Sequence, residues 1–390
     1  MTQSKFNRRS FLRGVGVAGA AAVAMPMINM GSFQVFAGDE TKYSGRAIDV
    51  VNSVQVFDML SILSPFKHMM TSAFSKNPML SDAFELQRDE LDVLLASGVD
   101  VFHPAVGLGG DEAAGFIARM NAYAAEYPEH LQRIDSLEDI KTLKKGERIG
   151  YILGIQNSDH FRSVDDVNQF YYMGQRISQL TYNSQNLIGS GSTDRVDGGI
   201  SDFGAAVVAR MNELGMAVDV SHCGDQTTLD AFELSKKPVL ITHSNVRALA
   251  EGHVRCKSDD AIKAMGKAGS VMGITGVRNF LSAKEPTTIE TLVDHVDYIA
   301  KLVGIEHVGV GSDMDMNGYD DIPEPAYSAL KAGYKSSYGF RDKIDADGFD
   351  HPKRIFDLAE SMIARGYTDD HIRLVLGDNF KRVLGDIWVA

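Results

Sequence analysis

The stretch GMAVDVSHCGDQTTLDAFELSKKPVLITHSNVRALAEGHVRCKSDDAIKAMGKAGSVMGIT (residues 215–275) decides the predicted fold. Its three short apolar runs, 217–220, 238–241 and 270–274, are separated by helix-like segments, which is typical of strands alternating with helices. The first two runs lead directly into Ser221-His222 and Thr242-His243. Because the carboxyl ends of neighbouring parallel strands lie side by side, we expect the two histidines to project into the same space. Such a pair suits a metal site or an acid/base pair.

The same alternation of strand-like and helix-like segments runs through most of the chain. It gives eight strand candidates: 47–51, 99–103, 148–156, 179–182, 217–220, 238–241, 270–274 and 307–311. No glycine-rich dinucleotide fingerprint and no P-loop follows the first candidate, which disfavours a nucleotide-binding sheet. The sequence therefore predicts an α/β protein in which residues 38–390 form a single (β/α)8 TIM barrel.

The amino-terminal residues 1–37 are predicted to be a targeting signal. Arg8-Arg9-Ser10-Phe11-Leu12 precedes a Gly/Ala/Val-rich apolar run that ends near Met30, and Val35-Phe36-Ala37 offers small residues for cleavage. This arrangement resembles a twin-arginine export signal, which implies a periplasmic or otherwise exported protein. The alternative is a permanent membrane anchor, for which the run is at the lower limit of length.

Charge and cysteine content narrow the classes of partner. The formal net charge is −13 in 390 residues, and no basic stripe follows the amino terminus. These features disfavour nucleic acid and anionic membrane surfaces, and they leave a homodimer open. The two cysteines, Cys223 and Cys256, follow His222 and Arg255 directly. They are predicted either to form a disulfide, to supply a thiolate ligand beside the histidines, or to be inert.

Polar residues follow nearly every strand candidate, where a barrel carries its chemistry. In chain order they are Asn52 and Ser53, His103, Gln156, Tyr182 and Asn183, His222, His243, and Asp313 with Asp315. His103 is either a replacement metal ligand or an ordinary buried histidine. A barrel with a purely structural role would have little need for this polar rim.

Several motifs resemble those of the membrane (renal) dipeptidase family of zinc peptidases. They are LTYNSQN (180–186), DGGISDFG (197–204), MNELGMAVDVSH (211–222), PVLITHSNVRAL (238–249), HVR (253–255), GVGSDMD (309–315) and GDNFKRVL (377–384). The resemblance implies a metal-dependent hydrolase barrel with two zinc ions, a bridging carboxylate and a hydroxide, acting on dipeptides or related small amides. It also implies metal binding by His222 and His243, recognition of a substrate carboxylate by Arg255, contact with the substrate amine by Asp313, and a substrate-binding position at Tyr182.

The chain departs from the family pattern at the other metal ligands. The resemblance places the D-G-H-N-D signature that opens the family on residues 49–53, with Val51 and Ser53 at two ligand positions. The bridging glutamate falls on Gln156, whose neutral amide could be at most a weak ligand. The prediction is therefore a dipeptidase-like hydrolase with a depleted site and at most one zinc ion. The alternative is a non-catalytic member that binds a small zwitterion; metal-independent hydrolysis is disfavoured because no nucleophile stands beside a base.

Overall fold

The computed structural model describes residues 43–63, 86, 88–107, 110 and 112–388. The predicted targeting segment 1–37 lies outside this range. The strands are β1 (Phe57–Asp58), β2 (Val101–Phe102), β3 (Leu131–Arg133), β4 (Ile149–Tyr151), β5 (Gly154–Ile155), β6 (Ile177–Gln179), β7 (Ala217–Asp219), β8 (Ile241–Ser244), β9 (Met272–Ile274) and β10 (Val308–Val310).

The helices on the described part of the chain alternate with these strands. They are α1 (Gly45–Asn52), α2 (Arg88–Ala96), α3 (Glu112–Glu126), α4 (Leu137–Thr142), α5 (Val164–Tyr172), α6 (Asp202–Leu214), α7 (Asp225–Leu234), α8 (Asp259–Lys267), α9 (Arg278–Leu281), α10 (Ile289–Leu302), α11 (Ala326–Ala332), α12 (Arg354–Ala364), α13 (Asp369–Arg373) and α14 (Asn379–Trp388). A π-helical turn joins α13 to α14. No helix in the described ranges is long and apolar enough to cross a bilayer.

The strands form a closed parallel ring. β1 pairs with β2 and β2 with β4, whereas β5 pairs with β6 and β6 with β7. β4 and β5 are the two halves of one strand, and β3 extends the sheet from β4. A bridge from Asp219 to Leu240 links β7 to β8, which continues through β9 to β10. The Met59 N–H donates to Val310 O at 2.9 Å and closes the ring. The predicted eight-stranded barrel is confirmed.

One predicted strand is wrong. Residues 47–51 lie in α1, not in the first strand of the barrel. The Ser44 side chain caps this helix by accepting from Ala47 N, and Ala47, Val50 and Val51 are buried at the i, i+3, i+4 spacing of one helical face. Tyr43, just before the cap, packs its ring 5.1 Å from that of Phe356 in α12. The run is thus a capped outer helix of the barrel.

The two ends of the barrel differ in polarity. At the amino end, Phe57, Val101 and Ile177 share an apolar cluster with Val383 and Leu384 of α14. At the carboxyl end, buried polar residues follow the strands. The segment 311–353 between β10 and α12 carries α11 and short 3₁₀ turns. The candidate functional residues therefore lie at the carboxyl end of the barrel.

Candidate active site

The carboxyl ends of β7 and β8 bring the two predicted histidines into contact. The Nε2 atoms of His222 and His243 lie 2.9 Å apart, and both side chains are buried. His222 Nδ1 lies 2.8 Å from Asn183 Oδ1, and His243 Nδ1 lies 2.8 Å from Thr242 Oγ1. The Tyr182 ring stacks on His222 with its centroid 4.2 Å away. The two imidazoles therefore have fixed orientations.

Burial is the main electrostatic influence on this pair. It lowers the pKa of both His222 and His243 well below the usual histidine value, and the cations Arg255 and Lys257 lower both further. Lys257 Nζ donates to Val220 O at 2.6 Å, Thr228 Oγ1 at 3.0 Å and Cys223 O at 3.2 Å, so this buried ammonium group is satisfied without a carboxylate. Both histidines are consequently neutral near pH 7.

Arg255 lies directly beside the histidine pair. Its guanidinium donates to Ser221 O, to His243 O at 3.0 Å and to Ser244 Oγ at 3.4 Å. Its Nε–H is buried and has no partner among the described residues. A buried cation with an unused donor can bind a carboxylate by donating a charge-assisted hydrogen bond to it.

Asp313 is placed at the same rim by the end of β10. Its backbone is in the left-handed region at φ 57°, and its N–H donates to Leu60 O at 2.9 Å. Burial raises the pKa of its carboxyl to about 7, against the opposing effect of Arg255 and with a further increase from Asp58. Asp315, two residues on, is buried and accepts from Asn317 N at 2.9 Å, so it braces its own loop.

His103 and Gln156 are both buried, and each side chain has one polar atom in a hydrogen bond and one without a partner among the described residues. His103 Nδ1 donates to Met59 O at 2.7 Å, and Gln156 Nε2 donates to Ala105 O at 2.9 Å. His103 Nε2 and Gln156 Oε1 have no partner among the described residues. A Cβ atom added at Gly154 would lie only 1.9 Å from His103 Nε2. His103 thus sits against the barrel wall.

Comparison with known proteins identifies the family. A model of the membrane dipeptidase family, peptidase family M19, matches residues 52–325. The chain belongs to the membrane dipeptidase family. That family is a family of peptidases.

Relatives of the membrane dipeptidase family match much of the chain. The dipeptidase verJ of Clonostachys rogersoniana is 28% identical over 264 residues, covering 67% of this chain and 61% of that protein. An amidohydrolase from Pseudomonas aeruginosa is 25% identical with a TM-score of 0.74, covering 88% of this chain and 99% of that one. A metallo peptidase from Rhodobacter sphaeroides, solved with a phosphinate mimic of the dipeptide L-Ala-D-Ala, has a TM-score of 0.67 at 16% identity over 86% of this chain and 99% of that one. The last likeness is one of fold alone.

Residues 49–53, on which the family signature is expected to fall, do not end a barrel strand. Val51 is buried in α1 and Ser53 ends that helix, so neither lies at the end of a barrel strand. The segment that ends β1 is Asp58-Met59-Leu60-Ser61-Ile62. The side chains of Leu60 and Ile62 in this segment have no metal-binding atoms. Residues 47–51 have the composition of a strand, but they form a helix with one apolar face.

The Asp58 carboxylate is occupied by partners within the protein. Its carboxylate accepts from Ser312 N at 2.8 Å and Ser312 Oγ at 2.6 Å and lies 3.5 Å from Arg354. Burial raises its pKa despite these partners. We therefore assign Asp58 a role in joining the first and last strands.

The described residues do not fit a pair of zinc ions. Within the ranges that the structure describes, no three His, Cys, Asp or Glu side chains are grouped to hold a metal. A zinc site normally needs at least three such ligands. What they do offer is two of the three ligands, the facing Nε2 atoms of His222 and His243.

The predicted disulfide is wrong. Both cysteines are buried and free. Cys223 Sγ accepts from Thr181 Oγ1 at 3.3 Å, whereas Cys256 Sγ lies 3.4 Å from Phe280 O, to which it donates. Burial raises the pKa of Cys223 and raises that of Cys256 to about 12. Buried thiols with raised pKa are unreactive, which favours the inert alternative.

Proposed function

We propose that this protein hydrolyses dipeptides or related small amides at the carboxyl end of its barrel, with at most one metal ion. The observation that carries the proposal is the facing pair of neutral imidazole nitrogens, 2.9 Å apart, in a chain of the membrane dipeptidase family. Nδ1 of His222 faces an amide oxygen, so its hydrogen is on Nδ1 and its Nε2 carries a lone pair. A cation between two such nitrogens relieves their mutual repulsion.

The roles follow from the chemistry of each side chain. His222 and His243 would hold the ion, which when bound would polarise an amide carbonyl and lower the pKa of water. The unused Nε–H of Arg255 would donate to a carboxylate of the ligand, since no acid pairs with its guanidinium among the described residues. Asp313, with its pKa near 7, becomes ionised when an ammonium group approaches. Tyr182 covers one face of His222 and limits the orientation of a ligand.

A second candidate is a non-catalytic protein that binds a small zwitterion. It is favoured by placing the D-G-H-N-D signature on Asp58–Ile62, because Leu60 and Ile62 then occupy two ligand positions, and by the neutral amide at Gln156. Arg255 and Asp313 would then recognise the two charged ends of the ligand. In this candidate the protein retains the groups that recognise the ligand but does not hydrolyse it.

Metal content and hydrolysis decide between the two candidates. The full chain is loaded with zinc, dialysed, and assayed for bound zinc and for cleavage of a dipeptide panel. Hydrolysis predicts one equivalent of zinc that is lost in His222→Ala and kept in His371→Ala, an exposed histidine in α13. If no zinc stays bound and no dipeptide is cleaved, the hydrolase proposal fails. Dipeptide binding by calorimetry that persists in this case would support the second candidate.

Restoring the family's ligand residues tests the placement of the signature on Asp58–Ile62. Leu60→His, Ile62→Asp and Gln156→Glu together restore the ligand types that the family signature requires, and we expect one additional equivalent of zinc. The control combines Gln156→Glu with Ser53→Asp, which changes a residue at the end of an outer helix and should gain none. Equal gain in both variants would contradict the placement of the signature at Asp58–Ile62.

A further inference from the structure

The two hydroxyl residues that precede the histidines meet at one buried carboxylate. Asp219, the last residue of β7, accepts from Ser221 Oγ at 2.6 Å through Oδ1 and from Thr242 Oγ1 at 2.6 Å through Oδ2. The backbone N–H groups of Ser221 and Thr242 also donate to Oδ1, each at 3.0 Å. Four donors from two neighbouring strand ends thus converge on one side chain.

Counting hydrogens fixes the direction of each hydrogen bond. Thr242 has a single hydroxyl hydrogen, and its 2.6 Å contact with the Asp219 carboxylate uses it. The 2.8 Å contact of Thr242 Oγ1 with His243 Nδ1 must then be donated by the imidazole. His243 therefore carries its hydrogen on Nδ1, and its Nε2 is left with a lone pair that faces His222.

Ser221 contributes to the same arrangement from the other strand. Its hydroxyl oxygen accepts from His243 N at 3.1 Å while its hydrogen goes to Asp219. The backbone of one histidine is therefore held by the hydroxyl that precedes the other. Both histidines are buried, so this frame is shielded from competing water.

We propose that Asp219 is a positioning residue that, through Thr242, holds His243 as the tautomer with a bare Nε2. The inference deepens the proposed function, because a bare Nε2 is the form that binds a metal ion. It makes a sharp prediction for Asp219→Asn. The new amide donates to Thr242 Oγ1, the threonine hydroxyl turns to donate to His243 Nδ1, and the hydrogen of His243 moves to Nε2.

The test reads the tautomer directly. Nitrogen-15 NMR of the full chain in the presence of a chelator distinguishes Nδ1–H from Nε2–H, and His243→Gln identifies the His243 signals among the 11 histidines. We expect Nδ1–H in the parent and in Thr242→Ser, which keeps the hydroxyl. We expect loss of the Nδ1–H preference in Thr242→Val and conversion to Nε2–H in Asp219→Asn. Thr181→Val, another buried threonine beside the site, is the matched control and should change nothing.

Zinc affinity supplies the second measurement. Removing a partner of a metal-binding histidine typically weakens binding about 10- to 100-fold, and we expect this loss in Thr242→Val and recovery in Thr242→Ser. An unchanged His243 tautomer in folded Thr242→Val would overturn the inference, even if Asp219→Asn fails to fold. A shifted tautomer in a protein that never binds zinc would instead support the inference and count against the proposed hydrolase. The two failures are thereby distinguishable.

Discussion

His295 makes the stability of this protein dependent on pH. Its side chain, on α10, is fully buried and satisfied in the neutral form. Nδ1 accepts from Val246 N at 3.0 Å, and Nε2 donates to Leu281 O at 2.9 Å. Burial lowers its pKa from 6.5 to about 4, against a small opposing effect of Asp294. Protonation would also remove the acceptor that Val246 N–H requires.

The sign and size of the effect follow from this shift. Between pH 6.5 and 4 the unfolded chain binds a proton at His295 and the folded chain does not, so stability falls as pH falls through this window. A shift from 6.5 to about 4 at roughly 1.4 kcal/mol per pH unit gives a maximum loss of about 3 kcal/mol. At pH 4.5 the loss should be about 2.5 kcal/mol relative to pH 7.5.

Urea unfolding at pH 7.5 and 4.5 measures this loss in the parent and in His295→Gln. The glutamine cannot titrate, so the variant should lose about 2.5 kcal/mol less than the parent over the same interval. Other histidines with lowered pKa, such as His103, His160 and His253, affect both proteins equally. An identical pH dependence in parent and variant would refute the reasoning, and the exposed His371→Gln serves as the control.

Three further predictions concern the barrel interior. Gly154→Ala places a Cβ 1.9 Å from His103 Nε2 and should lower the free energy of unfolding by about 1–3 kcal/mol, with partial recovery when His103→Ala is added, as measured by urea unfolding. Cys223 and Cys256 should appear as two free thiols by mass spectrometry without reductant and should be alkylated only after unfolding; a mass lower by two hydrogens would contradict this. Lys257→Met removes the hydrogen bonds to the buried carbonyls of Val220 and Cys223 and should lower the melting temperature, whereas an unchanged melting temperature would show that its ammonium group stabilises nothing.

The sequence predicts the barrel because its signals are local and repeated. The β7 and β8 regions carry apolar runs bounded by polar residues, and the ring of strands converts that spacing into the contact of His222 with His243. The first strand could not be found in this way. Only Phe57 and Asp58 form it, whereas residues 47–51 have five residues of β-type composition in a capped helix. Tertiary pairing with β2, not local preference, makes Phe57–Asp58 a strand.

Partners within the site were harder to predict than the histidines. Asp219 lies two residues before Ser221, and its role depends on a second strand end, at Thr242, that becomes adjacent only in the fold. An acid two residues before a hydroxyl-histidine pair is the signal that could have found it. Lys257 gave no signal at all, since a lysine in a polar stretch is normally exposed and this one is buried.

The hydrogen bonds that close the ring constrain how the chain assembles during synthesis. Ser61 Oγ donates to Met314 O across a sequence separation of 253 residues. At about 5–20 residues per second, the ribosome needs on the order of 15–50 s to supply the partner of the first strand. For that interval one edge of β1 has no neighbour, while later β-α units already emerge in order. The barrel can therefore close only after its carboxyl-terminal half has been synthesised. Until then, the exposed edge of the nascent first strand must be kept from pairing with other chains.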